Sequence, residues 1–299
     1  MKIRSGIVSE LMKVRGSNFM TTQQPKVWFI TGAGKGIGRA IAEAALAHGD
    51  FVAATTRNTA GLDYTKAYPE QALALQLDVS CNDEAVFTAA VAQAVAAFGR
   101  IDVLVNNAGF GSITNFEETN EETIRHIFEV NLFGLMRVTR AVLPIMRAQR
   151  GGHIFNIASA AGYCAGPVGY HTSKFAVTGF SVALAFETAP FGITVTNVAP
   201  GLFRTNFYDE GTWGTVPDKQ IASYDAERWQ TAFAEDAHKH QQPGDPAKLA
   251  DLLLEVANAE KLPLHLPVGE DAVATLDAYC QKVQEDIVLW REKSAQTSF

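Results

Sequence analysis

Tyr170 and Lys174 stand four residues apart at the head of an apolar-periodic run (Phe175, Val177, Phe180, Val182, Leu184), a spacing that stacks both side chains on one face of a helix. A phenol titrates near ~10 in water, too high to shuttle protons at neutral pH. One ammonium about 4 Å away is worth ~4 kcal/mol at an effective dielectric near 20, which equals roughly three pKa units. The pair is therefore sufficient as a general acid/base unit, and Ser159 upstream could hold the oxygen that gains or loses the proton. The same spacing also describes a packed ring beside a solvated amine, so the rest of the chain has to decide between the two.

The elements that would position these residues begin with Val27 to Ile30, a buried strand, which Thr31-Gly-Ala-Gly-Lys-Gly-Ile-Gly38 turns into a helix running to His48. Strand, glycine turn and helix in that order make a phosphate site: glycines let the backbone approach, and the helix N-terminus offers N–H groups and a positive dipole end. The spacing Gly32-x-x-x-Gly36-x-Gly38 is not the common G-x-G-x-x-G, and turning alone is a poor account of four glycines in residues 32–38. Further strands are expected at 51–55, 73–77, 101–105, 153–157, 192–198 and 262–268, and helices at 83–98, 121–150, 170–189, 245–257 and 270–291. This alternation predicts an α/β fold, a Rossmann-like doubly wound sheet of seven parallel strands flanked by helices.

The polar candidates off the helices then fall at the C-terminal ends of strands. Asp78 ends the third strand, where it either takes a hydrogen bond from an adenine base or caps the helix after Asn82. Asn106-Asn107-Ala108-Gly109 ends the fourth, Ser159 follows the fifth, and Pro200-Gly201-Leu202-Phe203-Arg204-Thr205 follows the sixth. Asn131 lies on the apolar stripe of helix 121–150 (Ile124, Ile127, Phe128, Leu135, Val138, Val142), where a buried amide must find a carbonyl, a water or a partner side chain. Pro144 predicts a bend in that helix. Residues 206–244 carry turn residues (Gly211, Gly214, Pro217) and many aromatics (Phe207, Trp213, Tyr224, Trp229, Phe233), which reads as an inserted substrate-binding segment or as helices filling an edge.

A net charge of −7 with 19% charged and 47% hydrophobic residues describes an ordinary soluble globular chain with no basic patch for nucleic acid. Cys81, Cys164 and Cys280 lack metal-ligand spacing and suit a reduced, cytoplasmic setting; no metal site is expected, and no apolar run suits a membrane. Residues 1–19 are expected to be a disordered extension, and 20–299 one dinucleotide-binding oxidoreductase domain.

With these residues laid out, the chain resembles the classical short-chain dehydrogenase/reductase family over roughly residues 26–270. The resemblance rests on Thr31-Gly-x-x-x-Gly-x-Gly38, Asn106-Asn-Ala-Gly109, Asn131, Ser159, Tyr170-x-x-x-Lys174 and Pro200-Gly201 in that order. The long C-terminal part looks like that of bacterial members similar to 17β-hydroxysteroid dehydrogenases. The interval from Ser159 to Tyr170 is a couple of residues shorter than the family's. The resemblance implies that Tyr170 exchanges a proton with a carbonyl or alcohol oxygen while hydride moves to or from nicotinamide. It further implies that Lys174 lowers the tyrosine's pKa and binds the ribose, that Ser159 orients the substrate oxygen, and that Asn131 holds a water leading from Lys174 to solvent. Cofactor contacts are implied at Gly32, Lys35, Gly36, Ile37, Gly38, Asp78, Val79, Asn107, Ala108, Gly109, Pro200, Gly201 and Thr205, and a mainly apolar pocket at Phe110, Tyr163, Leu202 and beyond 206. A homodimer or homotetramer through helix 121–150 and the helix after Tyr170 is implied as well. The second strand ends Thr55-Thr56-Arg57 with no acid between Phe51 and Gly61; Arg57 and Lys35 around one phosphate predict NADP(H) over NAD(H). A non-catalytic cofactor-binding regulator on the same fold is the alternative; it would need only the glycine turn.

Overall fold

A computed structural model of the chain describes residues 24–208, 221–224 and 241–298. The expected extension at 1–19, and Gly211, Trp213, Gly214, Pro217, Trp229 and Phe233 of the insertion, lie outside the described residues.

Seven short, apolar, β-branched runs form one parallel sheet: β1 (Val27–Thr31), β2 (Phe51–Thr56), β3 (Ala72–Gln76), β4 (Val103–Asn106), β5 (Gly152–Ile157), β6 (Ile193–Pro200) and β7 (His265–Val268). Their spatial order is β3-β2-β1-β4-β5-β6-β7. Helices cover both faces, which is why the strands read as continuous apolar runs rather than alternating ones. On one face Trp28, Ile30, Val103 and Val198 pack with Ile41 and Ala45 of α1 (Gly36–His48) and with Leu249 and Leu253 of α6 (Pro246–Ala257). On the other, Phe29, Leu104 and Ile154 meet Phe87 of α2 (Glu84–Phe98), Val138, Val142 and Met146 of α4 (Leu135–Gln149), and Leu184 of α5 (Val168–Thr188). The strand order reverses between β1 and β4, so their C-terminal ends open a crevice, the usual ligand position in such sheets.

Three elements differ from the sequence reading. The expected long helix 121–150 is α3 (Glu121–Phe128), a π-helical stretch (Glu129–Gly134) and α4, joined without leaving helical dihedrals. β7 starts at His265 rather than at Leu262, Pro263 being unable to donate to the ladder. Residues Thr59–Ala67 form 3-10 turns where the sequence shows no helical period. The last helix, α7 (Glu270–Ala295), follows β7. Among the described residues no helix is long and apolar enough to cross a membrane.

Candidate active site

The glycine turn is built from both ends. Gly32 and Gly36 take positive φ (65° and 57°), so the chain turns where a side chain would be strained. Gly38 is needed for a different reason: a Cβ there would lie 2.3 Å from Asn107 Nδ2 and 2.6 Å from the Gly32 carbonyl oxygen. Asn107 donates from Nδ2 to the carbonyl oxygens of Thr31 (2.9 Å) and Gly32 (3.2 Å), and the buried Thr31 hydroxyl accepts from the Asn107 and Ala108 amides at 2.9 and 3.1 Å. The end of β4 therefore holds the turn after β1. The N-cap residue, Lys35, does not cap α1 with its own side chain, and no acid occupies the first turn, so the N–H groups and dipole of α1 face the crevice. Thr205 comes against this turn, its side chain 3.4 Å from where a Gly36 Cβ would be.

Sequence reasoning missed the clamp on the far side. Tyr64 donates to the Ala33 carbonyl oxygen at 3.1 Å, and Gly61 lies against Gly34. Arg39 sits over the Tyr64 ring at 5.0 Å and pairs with Glu43 and Asp63, both at 2.9 Å. A buried tyrosine under Arg39, joined to it across 25 residues, has no period to betray it; the signal available was Gly61.

Of the other cofactor candidates, Ile37 and Val79 turn their side chains into the core. Asp78 is no helix cap: Asp83 accepts from the Ala85 amide and caps α2, while Asp78 accepts from the Ser80 amide (2.9 Å) and hydroxyl (2.7 Å). Partial burial raises its pKa, but Ser80, Arg57 and His126 outweigh that and hold it below the usual carboxylate value. Arg57 is thus close enough to be felt by Asp78, and both are exposed. Lys35 is exposed at the N-cap of α1. Gly201 is glycine because Asp271 fills the space beside it (2.1 Å to a Cβ); Asp271 accepts from the Leu202 amide at 2.7 Å. Acids in the first turn of α7 could have pointed to that lock.

The proton-transfer candidates converge at the ends of β5 and α5. Tyr170 and Lys174 are both buried in the first turns of α5, and Nζ lies 5.7 Å from the Tyr170 ring centre. Tyr170 shares a hydrogen bond with the Ser159 hydroxyl, so the shortened interval still closes. It closes through a 3-10 turn at Ala160–Gly162, capped by Ser159, whose Oγ accepts from the Ala161 amide at 3.1 Å. Burial pushes the phenol up to about 12 against the lowering effect of Ser159, and pushes Lys174 down to about 8. The net downward shift expected for the phenol is therefore not what the fold gives, because burial outweighs the lowering contributions. Both charged forms lose water, and the ammonium donates to the Ile157 carbonyl oxygen at 3.0 Å instead of the phenol.

Asn131, in the π-helical stretch, finds the partners a buried amide requires. Its Oδ1 accepts from the Phe110 amide (2.9 Å), and its Nδ2 donates to the Phe110 carbonyl oxygen (2.8 Å) and the Ser173 hydroxyl (2.9 Å). It ties the loop after β4 to α5 one residue before Lys174. The position of a Gly109 Cβ lies 3.6 Å from both Asn131 Oδ1 and Lys174 Nζ, so glycine keeps this corner open. A buried polar run, not foreseen, fixes the same elements: Asn106 donates to Thr139 and Asn156, and Asn156 to Ser181, each at 2.9 Å. Tyr163 is taken up elsewhere than in the expected pocket wall. Its hydroxyl meets His265 Nδ1 (2.7 Å) and Asn197 Nδ2 (2.8 Å), and its ring meets Phe175 and Tyr279. Phe207 lies against Tyr170, ring centres 5.8 Å apart.

The family model for short chain dehydrogenases matches residues 26–212, a stretch that holds the glycine turn, Asn131, Ser159, Tyr170 and Lys174. The chain belongs to the short-chain dehydrogenase family. It is an oxidoreductase of that family, which uses a nicotinamide cofactor. An oxidoreductase of Botryotinia fuckeliana is 38% identical over 275 residues, covering 90% of this chain and 98% of its own. A short-chain dehydrogenase from Streptomyces avermitilis superposes with a TM-score of 0.83 at 41% identity, covering 92% of this chain and 100% of its own. A Burkholderia phymatum short chain dehydrogenase/reductase solved in complex with NAD gives 0.73 at 25% identity, covering 89% and 95%.

Proposed function

We propose that this dehydrogenase reversibly moves hydride between NADP(H) and a carbonyl or secondary alcohol on a mainly apolar small molecule. The observation that carries the reading is the buried Tyr170 phenol, hydrogen-bonded with Ser159 and stacked over Lys174, at the sheet edge that also holds the N-terminus of α1. Two positive-φ glycines and a helix N-terminus fit a dinucleotide pyrophosphate. Gly32, Lys35, Gly36, Ile37 and Gly38 would hold it, with Asp78, Val79, Asn107, Ala108, Gly109, Pro200, Gly201 and Thr205 along the rest of the crevice. The cofactor, when bound, supplies or accepts the hydride at C4 of its nicotinamide. In the direction of reduction Tyr170 gives its proton to the substrate oxygen, Ser159 holds that oxygen, and Lys174 stabilises the phenolate left behind.

Phe207 against the Tyr170 ring and Phe110 bonded to Asn131 support an apolar substrate. Exposed Phe133, Phe175 and Phe186 on the π-helical stretch and α5 support a homodimer or homotetramer through that face. Tyr170→Phe is expected to keep the fold and cofactor binding and to lower turnover at least ~100-fold, the usual weight of general acid/base catalysis. Near-normal turnover would refute the assignment.

Arg57 and Lys35, both exposed beside the glycine turn, and the absence of an acid after β2 support NADP(H). At ~1.5 kcal/mol for each charge-assisted contact, kcat/KM should favour NADPH over NADH by at least ~10-fold. Arg57→Asp should erase or reverse the preference, and equal use of both cofactors by the unmodified chain would refute it.

A further inference from the structure

Every residue from 277 to 298 is exposed, although α7 continues as a helix to Ala295. A 26-residue helix is about 39 Å long, and its early turns alone meet the sheet domain, through buried Ala272 and through Tyr279 against Tyr163 and Phe175. The remainder is not polar: Val283, Ile287 and Trp290 are 40%, 47% and 55% exposed. A short helix of this kind is marginal alone in water.

The apolar positions follow a rule. Val273, Leu276, Cys280, Val283, Ile287 and Trp290 recur at alternating spacings of three and four. That is a heptad seam, with Val273, Cys280 and Ile287 at one core position and Leu276, Val283 and Trp290 at the other. Val273 and Ile287 at the first and Leu276 at the second follow the pattern that favours two parallel strands, from which Cys280, Val283 and Trp290 depart. The flanking charges agree. In a parallel pair Asp286 of one helix comes beside Arg291 of the other, twice by symmetry, and no like charges meet. An antiparallel pair over the stretch that stands clear of the domain, Cys280 to Trp290, would set Asp286 against its own symmetry mate. Val288 and Leu289 lie outside the seam and gain no partner from it.

We propose that α7 pairs with α7 of a second copy of this chain as a short parallel coiled coil, a contact separate from the α5 face and independent of the catalytic reading. Parallel pairing puts the two Cys280 thiols opposite each other, and Cys280 is free and exposed. The full-length chain at micromolar concentration is treated with copper(II)-phenanthroline, which takes two electrons as two thiols release two protons and form one disulfide. Peptide mass mapping then separates Cys280–Cys280 bonds from those of Cys81 and Cys164.

The expected result is a Cys280–Cys280 dimer whose yield falls at least ~10-fold in Ile287→Asp, a loss equal to ~1.4 kcal/mol of pairing. Arg291→Glu should lower the yield and the double exchange Asp286→Arg/Arg291→Glu restore it. A Cys280 thiol that reacts with iodoacetamide yet forms no such bond overturns the proposal, as does a yield untouched by Ile287→Asp. Failure of the double exchange to restore overturns the parallel register. An uncross-linked chain whose Trp290 fluorescence shifts on vesicles of phosphatidylcholine and phosphatidylglycerol overturns it in favour of a membrane surface.

Discussion

Burial sets the protonation of the two residues that matter most. A phenol held near 12 keeps its proton through neutral pH, so Tyr170 stands ready as an acid for carbonyl reduction, while oxidation of an alcohol must first remove that proton. Lys174 behaves in the opposite sense. With its pKa lowered to about 8 it loses its charge as pH rises through that value, and with it the stabilisation of the phenolate formed on proton donation. The expected profile is a kcat/KM for reduction that is level below about pH 8 and falls above it, and one for oxidation that rises up to about pH 8 and levels off beyond it. Lys174→Arg keeps a positive charge to much higher pH. In that variant the fall in the reduction limb should move up or vanish, whatever its absolute rate. A limb that stays at the same pH would mean that another group titrates.

At the scale of elements, the strands and the catalytic pair were legible because their signals are local. Apolar runs ending in Asn107, Ser159 and Pro200 place those residues on one edge, and a four-residue spacing is sufficient to stack Tyr170 and Lys174. What was not legible depends on contacts between distant segments. The Tyr64 clamp on the glycine turn, the Asn106–Asn156–Ser181 run and the Asp271 lock on Gly201 each join residues with no shared period. The burial of Tyr170 belongs to the same class, and because burial raises the phenol the shift had the wrong sign in the sequence reading. The π-helical stretch is the sharpest case, since nothing in the period of 121–150 marks an extra residue in a turn. It can be tested through Gly134. In an ordinary exposed helix Gly→Ala stabilises by roughly 1 kcal/mol. Here a Cβ would lie 2.5 Å from the Val79 carbonyl oxygen, a backbone atom that cannot step aside. Overpacking of this kind costs about 1–3 kcal/mol, so Gly134→Ala should lower Tm where propensity alone would raise it. A raised Tm would show that the turn relaxes freely and places Asn131 without strain.

Across the whole molecule, the sheet that gathers the site also buries a group that ties its stability to pH. His153 on β5 is stacked on Phe155 with ring centres 4.1 Å apart, and its Nε2 lies 3.0 Å from the Thr196 hydroxyl. That hydroxyl donates its own proton to the Pro263 carbonyl oxygen at 2.6 Å, so it accepts from His153, and Nε2 carries the ring proton. Among the described residues the buried Nδ1 has no hydrogen-bond partner, leaving a second proton nothing to donate to. Burial first, and the charge of Lys26 second, lower the pKa from 6.5 to about 4. The sign follows from linkage: between those values the unfolded chain binds a proton that the folded chain refuses, so stability falls as pH drops through that window. The full drop is roughly 3 kcal/mol at ~1.4 kcal/mol per pKa unit. His153→Leu removes the titrating ring and leaves Thr196 bonded to Pro263. Urea unfolding of both chains at pH 7 and pH 4.5 should show the unmodified protein losing more stability than the variant, by an amount approaching that figure. Equal losses in the two chains would mean that the histidine opens to water before the fold does.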